Sequence, residues 1–220
     1  MMNKTDYDKL RTKVMGLIEG LTLTDPSYFE VRKLLSYAER IHCNVRRDGS
    51  KEFSHQLEML ALALSLHGML TKPREVYMAI LTHDLLEDYP ETKAYLEFNH
   101  PESVEYSSKL AKFKCANGTN PYDLYFDTIA LCEICSIVKL IDRIHNLSTA
   151  VGVFTDAKLK EYLDEVDMYF VPMYQRAKAT FNQRGAYEIL KTMLTTESRI
   201  IGTFLSRVYP DAVSEFVKNV

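Results

Sequence analysis

A chain of 220 residues, 46% hydrophobic and 26% charged, can bury a sizeable core without disulfide staples. Its net charge of -3 and isoelectric point near 6.1 exclude a general nucleic-acid-coating role, which needs excess positive charge, and leave room for a local basic pocket for one small anion. No run reaches the roughly 18 apolar residues of a membrane span, so no membrane partner is expected. The opening MMNKTDYDKL has no apolar stretch of signal-peptide length. The four cysteines are Cys43, Cys115, Cys132 and Cys135. The last two form a CxxC with no second pair to complete a zinc site, so ordinary buried thiols are expected, in a reducing, cytoplasmic setting.

Helical periodicity runs through the chain with no internal repeat. Asp25-Pro26 is a helix-start signal, with Asp as cap and Pro at the first helical position, opening a helix from Tyr28 to Val45. Arg46 to Glu52 reads as a polar loop centred on Asp48-Gly49. A helix from Ser54 to Leu70 follows, with Leu57, Leu60, Ala61 and Leu64 on one side. Pro73 opens the next, Arg74 to Tyr89, which is apolar on most faces and ends at Pro90. Short helices are expected at Glu91 to Phe98 and Glu102 to Lys114, then a surface loop, Cys115 to Pro121. A long helix is predicted from Tyr122 to Thr149, and two or three more from Ala157 to Val220, with breaks near Gly185 and Pro210. No strand pattern or composition shift appears, so the fold class is all-α, a single domain over residues 1–220.

Three places break the helical rules. His83-Asp84 sits inside the apolar ILTHDLLED, where a buried carboxylate is costly unless it is paired or holds a metal. Neighbouring helical positions point about 100° apart, so both could reach one cation beside the helix. Glu87 and Asp88 follow at i+4 and extend the acidic edge. Asp142 and Asn146, also i and i+4, interrupt the apolar IVKLIDRIHNL, and His55 stands just past the Asp48-Gly49 loop. A buried His-Asp pair alone could be a satisfied structural unit. Joined by His55 and Asp142, it becomes a set of two imidazoles and two carboxylates, which suits manganese, iron or zinc better than calcium. Four protein ligands would leave places for water and a phosphate oxygen on a six-coordinate cation, the arrangement that lets a metal assist phosphoryl hydrolysis.

These residues resemble the HD superfamily, specifically the ppGpp-hydrolase domain of RelA/SpoT homologues and the stand-alone small alarmone hydrolases. The similarity covers Tyr37 to Arg176 and rests on IHCNVRRDGSKEFSH, HDLLED and KLIDRIHNLST, with a weaker echo in MYFVPMYQR. It implies an HD-type helical bundle binding one divalent cation, Mn2+ above all, through His55, His83, Asp84 and Asp142. It further implies Glu87 and Asp88 as the pair that orients or activates water, and Arg46 as the arginine lying against a guanine base. Arg47, Asn146, Thr149 and Arg176 take the positions of further nucleotide contacts. Three positions depart from the family pattern: Ser148 replaces an arginine, Asp48 a small residue, and Gln56 the proline after the first ligand. These bear on substrate identity and leave the metal chemistry alone. No stretch after Arg176 is long enough for a synthetase domain, so the resemblance implies a hydrolase acting alone.

The remaining histidines read as support. His42 lies on an apolar helix, His67 suits packing or a helix end, and His100 is expected to face solvent. His145, beside Asp142, is a candidate hydrogen-bond partner for a ligand. The expected activity is hydrolysis of the 3'-diphosphate of (p)ppGpp, releasing pyrophosphate and GDP or GTP, with a small guanosine nucleotide as the partner. Two alternatives stand beside it. One is the same fold acting on another 3'-phosphorylated substrate, a pyrophosphorylated tRNA end or NADPH. The other is a helical module that binds nucleotide without turnover. The oligomeric state is not legible.

Overall fold

Helix α1 (Tyr7–Thr24) opens on Asp6, whose carboxylate accepts the Lys9 amide at 3.1 Å and satisfies a donor the helix cannot. The computed structural model describes residues 6–111 and 121–208, and every regular element among them is helical. Asp25 is not the cap of α2 (Tyr28–Ile41). Its carboxylate accepts the Ser27 amide at 2.9 Å in an Asx-type turn, which delays the helix until after Ser27. That helix stops short of the predicted Val45 because the chain turns back on itself: the Arg46 amide donates to Ser50, Gly49 donates to the Arg46 carbonyl, and Val45 pairs with Lys51. Gly49 takes φ 78°, the left-handed region that glycine tolerates.

Helix α3 (Ser54–Ser65) gives way before Leu70 to a 3-10 turn, His67–Met69, where the His67 ring meets the Tyr77 hydroxyl at 2.9 Å. The helix predicted from Arg74 to Tyr89 is two helices, α4 (Pro73–Thr82) and α5 (Leu85–Asp88). Side chains take the bonds at the break: the Ile80 carbonyl accepts from the His83 ring, and the Thr82 carbonyl accepts from Ser107, each at 2.8 Å. His83 and Asp84 therefore occupy an interruption and not the edge of a continuous helix.

After a 3-10 turn at Pro90–Thr92 come α6 (Lys93–Asn99) and α7 (Pro101–Leu110). The helix predicted to Lys114 ends at Leu110, where Ala111 turns extended; residues 112–114, Cys115 and the loop that follows lie outside the described residues, except Pro121. The long helix predicted from Tyr122 to Thr149 is also two, α8 (Pro121–Ala130) and α9 (Glu133–Ser148). Cys132 is extended between them, and its Sγ accepts the Cys135 amide at 3.4 Å, so the CxxC is a helix start. Cys132 and Cys135 are buried, whereas Cys43 is exposed where the chain leaves α2.

The chain closes with α10 (Asp156–Glu165), a π turn at Val166–Phe170, α11 (Val171–Thr180) and α12 (Arg184–Val208). The π turn has a local cause. Pro172 has no amide to offer the preceding turn, and the ladder widens so that the Val171 amide reaches the Val166 carbonyl. The chain does break just before Gly185, at 181–183, while the break predicted near Pro210 lies outside the described residues.

The core is centred on α4 and α9. Helix α4 packs against α2, α3, α7 and α9, and α9 also meets α3, α8, α11 and α12. Tyr77, Ile80 and Leu81 from α4 and Ile137, Val138 and Ile141 from α9 are fully buried, each worth about 1.5–3 kcal/mol of transfer free energy. The fold is an all-α helical bundle, and no helix among the described residues is long and apolar enough to cross a membrane.

Candidate metal centre

His55, the second residue of α3, is brought against the α4–α5 break. The ligand atoms of His55, His83 and Asp84 all lie within 4.8 Å of one another, an arrangement able to hold a metal ion. Asp142, from α9, stands at the edge of this group, its Oδ1 3.3 Å from His55 Nε2. Asp142 is held by its own helix: Oδ2 accepts from Lys139 at 3.0 Å and Oδ1 from the Asn146 amide at 2.6 Å. Both histidines and Asp142 are buried, and the Asp84 side chain keeps 35% of its surface open.

The His83 ring tests whether a metal suits these residues. Its Nδ1 is occupied by the Ile80 carbonyl, an acceptor, so Nδ1 carries the proton. In the neutral ring, Nε2 is then a bare lone pair. It is buried with no hydrogen bond, and Asp84 Oδ2 stands 3.0 Å away. A lone pair facing a carboxylate oxygen is tolerable only with a proton or a cation between them, so the donor set fits a divalent cation.

Proton affinities follow the same crowding. Burial opposes charge on His83, but Asp84 beside it, and then Asp142, outweigh burial and lift the imidazole to about 9. Burial also opposes the Asp84 carboxylate, yet His83 holds it down to about 2. Burial pushes His55 down to about 4 against the pull of Asp142. Asp142 itself would be raised by burial, but Lys139, then His55, hold it well below the usual carboxylate range. One turn on, burial, then Asp84 and Glu87, raise Asp88.

The nucleotide-contact candidates separate into two places. Arg46, Arg47 and Thr149 line one cleft of about 300 Å³, together with Asp48 and Phe154. Arg47 lies over the Phe154 ring at 5.4 Å, and Arg46 reaches the Asn146 Oδ1 at 3.5 Å. Asn146 thus links the cleft to Asp142. Arg176 is not in this cleft. It pairs with Asp127 at 2.7 Å and lines a separate depression between α8 and α11. Ser148 is exposed, its hydroxyl turned to the His145 carbonyl.

Several residues that position the site escaped the sequence reading. Lys139 neutralises Asp142, and its only signal is the i, i+3 spacing within KLID. Tyr89 donates to Glu52 at 2.7 Å and accepts from Asn44 at 2.8 Å, fastening the loop before His55 to the end of α5. Glu58 bonds His145, which in turn contacts His55. His42 is buried, with its ring edge on Tyr89 at 5.2 Å. His100 does not face solvent: it is buried at the start of α7, 6.1 Å from the Tyr95 ring, because the α6–α7 corner folds it inward. Set against known proteins, the chain matches no family model and no curated protein.

Proposed function

We propose that the protein is a metal-dependent phosphohydrolase that removes the 3'-diphosphate of (p)ppGpp as pyrophosphate, leaving GDP or GTP. The observation that carries the metal reading is the buried His83 Nε2, 3.0 Å from Asp84 Oδ2, with a ligand atom of His55 in the same group within 4.8 Å. A divalent cation there, Mn2+ in our reading, would supply charge to a phosphoryl group and acidify water. His55, His83, Asp84 and Asp142 would hold it. Glu87 and Asp88 would orient the attacking water and take its proton, a role suited to the raised proton affinity of Asp88.

The choice of nucleotide is supported by the cleft beside Asn146. Its arginines offer planar cations that pair with phosphate and stack on a base. The resemblance of HDLLED and KLIDRIHNLST to alarmone hydrolases supplies the particular substrate. Arg176, paired elsewhere, drops out of the proposed contacts.

The test is product analysis of purified protein with Mn2+ and a panel of ppGpp, pppGpp, NADPH, a pyrophosphorylated tRNA end and ordinary nucleotides. Pyrophosphate with GDP or GTP is the expected outcome, abolished by a chelator. Cleavage of NADPH or the tRNA end alone would move the activity to that substrate. Nucleotide binding with no turnover of anything would leave a binding module.

A further inference from the structure

Behind His55 stands a pair of groups that the proposed chemistry leaves unused. His145, on α9, puts its Nδ1 2.8 Å from the Nδ1 of His55, and its Nε2 2.8 Å from Glu58 Oε2. Glu58 lies on α3, one turn beyond His55. A carboxylate and two imidazoles therefore form a line running from α3 to α9 and back.

Proton counting gives this line a direction. An ionised carboxylate can only accept, so His145 donates from Nε2. A neutral His145 then has a lone pair at Nδ1, which accepts the Nδ1 proton of His55. His55 is left with its lone pair on Nε2, the atom facing Asp142 at 3.3 Å. His83 reaches the same state by a shorter route, donating its Nδ1 proton to the Ile80 carbonyl. Both histidines turn the same nitrogen to the centre, one fixed by backbone and the other by side chains.

The geometry points to Glu58 and His145 as positioning residues that lock His55 in its Nδ1-protonated form, with Nε2 presented to a divalent cation. The lock rests on the metal reading above: a divalent cation between His55 Nε2 and Asp142 Oδ1 lets Nε2 keep its lone pair, whereas without one that nitrogen would need a proton to face the carboxylate. A hydrogen-bonded partner on the outer nitrogen fixes both the ring orientation and the basicity of a ligating imidazole. Glu58 acts through His145 and touches no reacting atom.

Two measurements test this. Nitrogen-15 correlation spectra of the wild-type protein loaded with diamagnetic Zn2+ at about pH 8, above the ordinary histidine pKa, should place the His55 proton on Nδ1 and the His145 proton on Nε2. A proton on His55 Nε2 would overturn the proposal. Titration with Mn2+ should show Glu58→Ala binding roughly 10- to 100-fold more weakly. Glu58→Gln, which keeps an acceptor oxygen, should recover most of that loss. Unchanged Mn2+ affinity in a normally melting Glu58→Ala protein would overturn the proposal, as would equal losses in both variants matched by equal falls in melting temperature. Should the wild-type protein bind neither Mn2+ nor Zn2+, the metal reading fails and takes this proposal with it, whereas tight binding by wild type with unchanged Glu58→Ala affinity overturns the proposal alone.

Discussion

A buried nitrogen lone pair with no donor costs on the order of 1–3 kcal/mol when nothing satisfies it. Beside Asp84, His83 Nε2 escapes that cost by holding a proton or a cation, which is why its neighbours outweigh its own burial. On the proposed reading, Asp84→Asn removes a ligand charge and should abolish Mn2+ binding and turnover together, read by titration and by pyrophosphate release. Glu87→Gln should bind Mn2+ as wild type does and lose roughly 100- to 10,000-fold in rate, the usual worth of a positioned proton acceptor. Full activity in a Mn2+-loaded Glu87→Gln protein would remove Glu87 from the mechanism. The group of His55, His83 and Asp84 was legible because each is a costly residue in an apolar setting. Glu58 and Lys139 were not, since a charged residue on an amphipathic helix is commonplace until its partner is known. Arg176 misled because a short motif echo says nothing of Asp127, which lies 49 residues earlier in the chain and takes its charge.

Helix interiors were easier to read than helix joints. The apolar spacing of α2, α3, α4 and α9 gave their cores, but two predicted long helices each proved to be a pair. In both, a side chain claims a backbone group that the ladder would have used: His83 takes the Ile80 carbonyl, and Cys132 takes the Cys135 amide. Neither residue type is a usual helix breaker, so periodicity ran straight across both breaks. Helix α1 passed unnoticed for the opposite reason. Its stripe of Leu10, Val14, Ile18 and Leu21 is thin, and Gly16 and Gly20 weaken the helical signal. Both glycines lie on the exposed side of α1, and an added Cβ would meet nothing within 4 Å. Gly16→Ala and Gly20→Ala should therefore each stabilise the protein by about 0.5–1 kcal/mol. Thermal melts that show no rise for either variant would mean α1 is frayed in solution.

Across the chain as a whole, acid stability should depend on the seam between α1 and α2. Glu39 accepts from Tyr7 at 2.8 Å and from Arg11 at 2.6 Å. Burial raises its carboxyl, but Arg11 and Tyr7 together hold it below the ordinary value. Because the folded state depresses this pKa, its stabilisation is present above the unfolded value of about 4.3 and is lost as pH falls through the folded value. Glu39→Gln should lower stability by about 1–2 kcal/mol at neutral pH, and the gap from wild type should close as the buffer is made more acidic. A gap that persists unchanged in acid would exclude this carboxylate as its source. The distances along the sequence carry a different consequence, for the order of assembly. His55 meets His145 across 90 residues, and Arg46 meets Asn146 across 100. A nascent chain that has released His55 and His83 from the ribosome still lacks Asp142, His145 and Asn146, so His55 waits without its partners until α9 emerges. The cluster thus stays open until α9 is made, with α10, α11 and α12 still to follow.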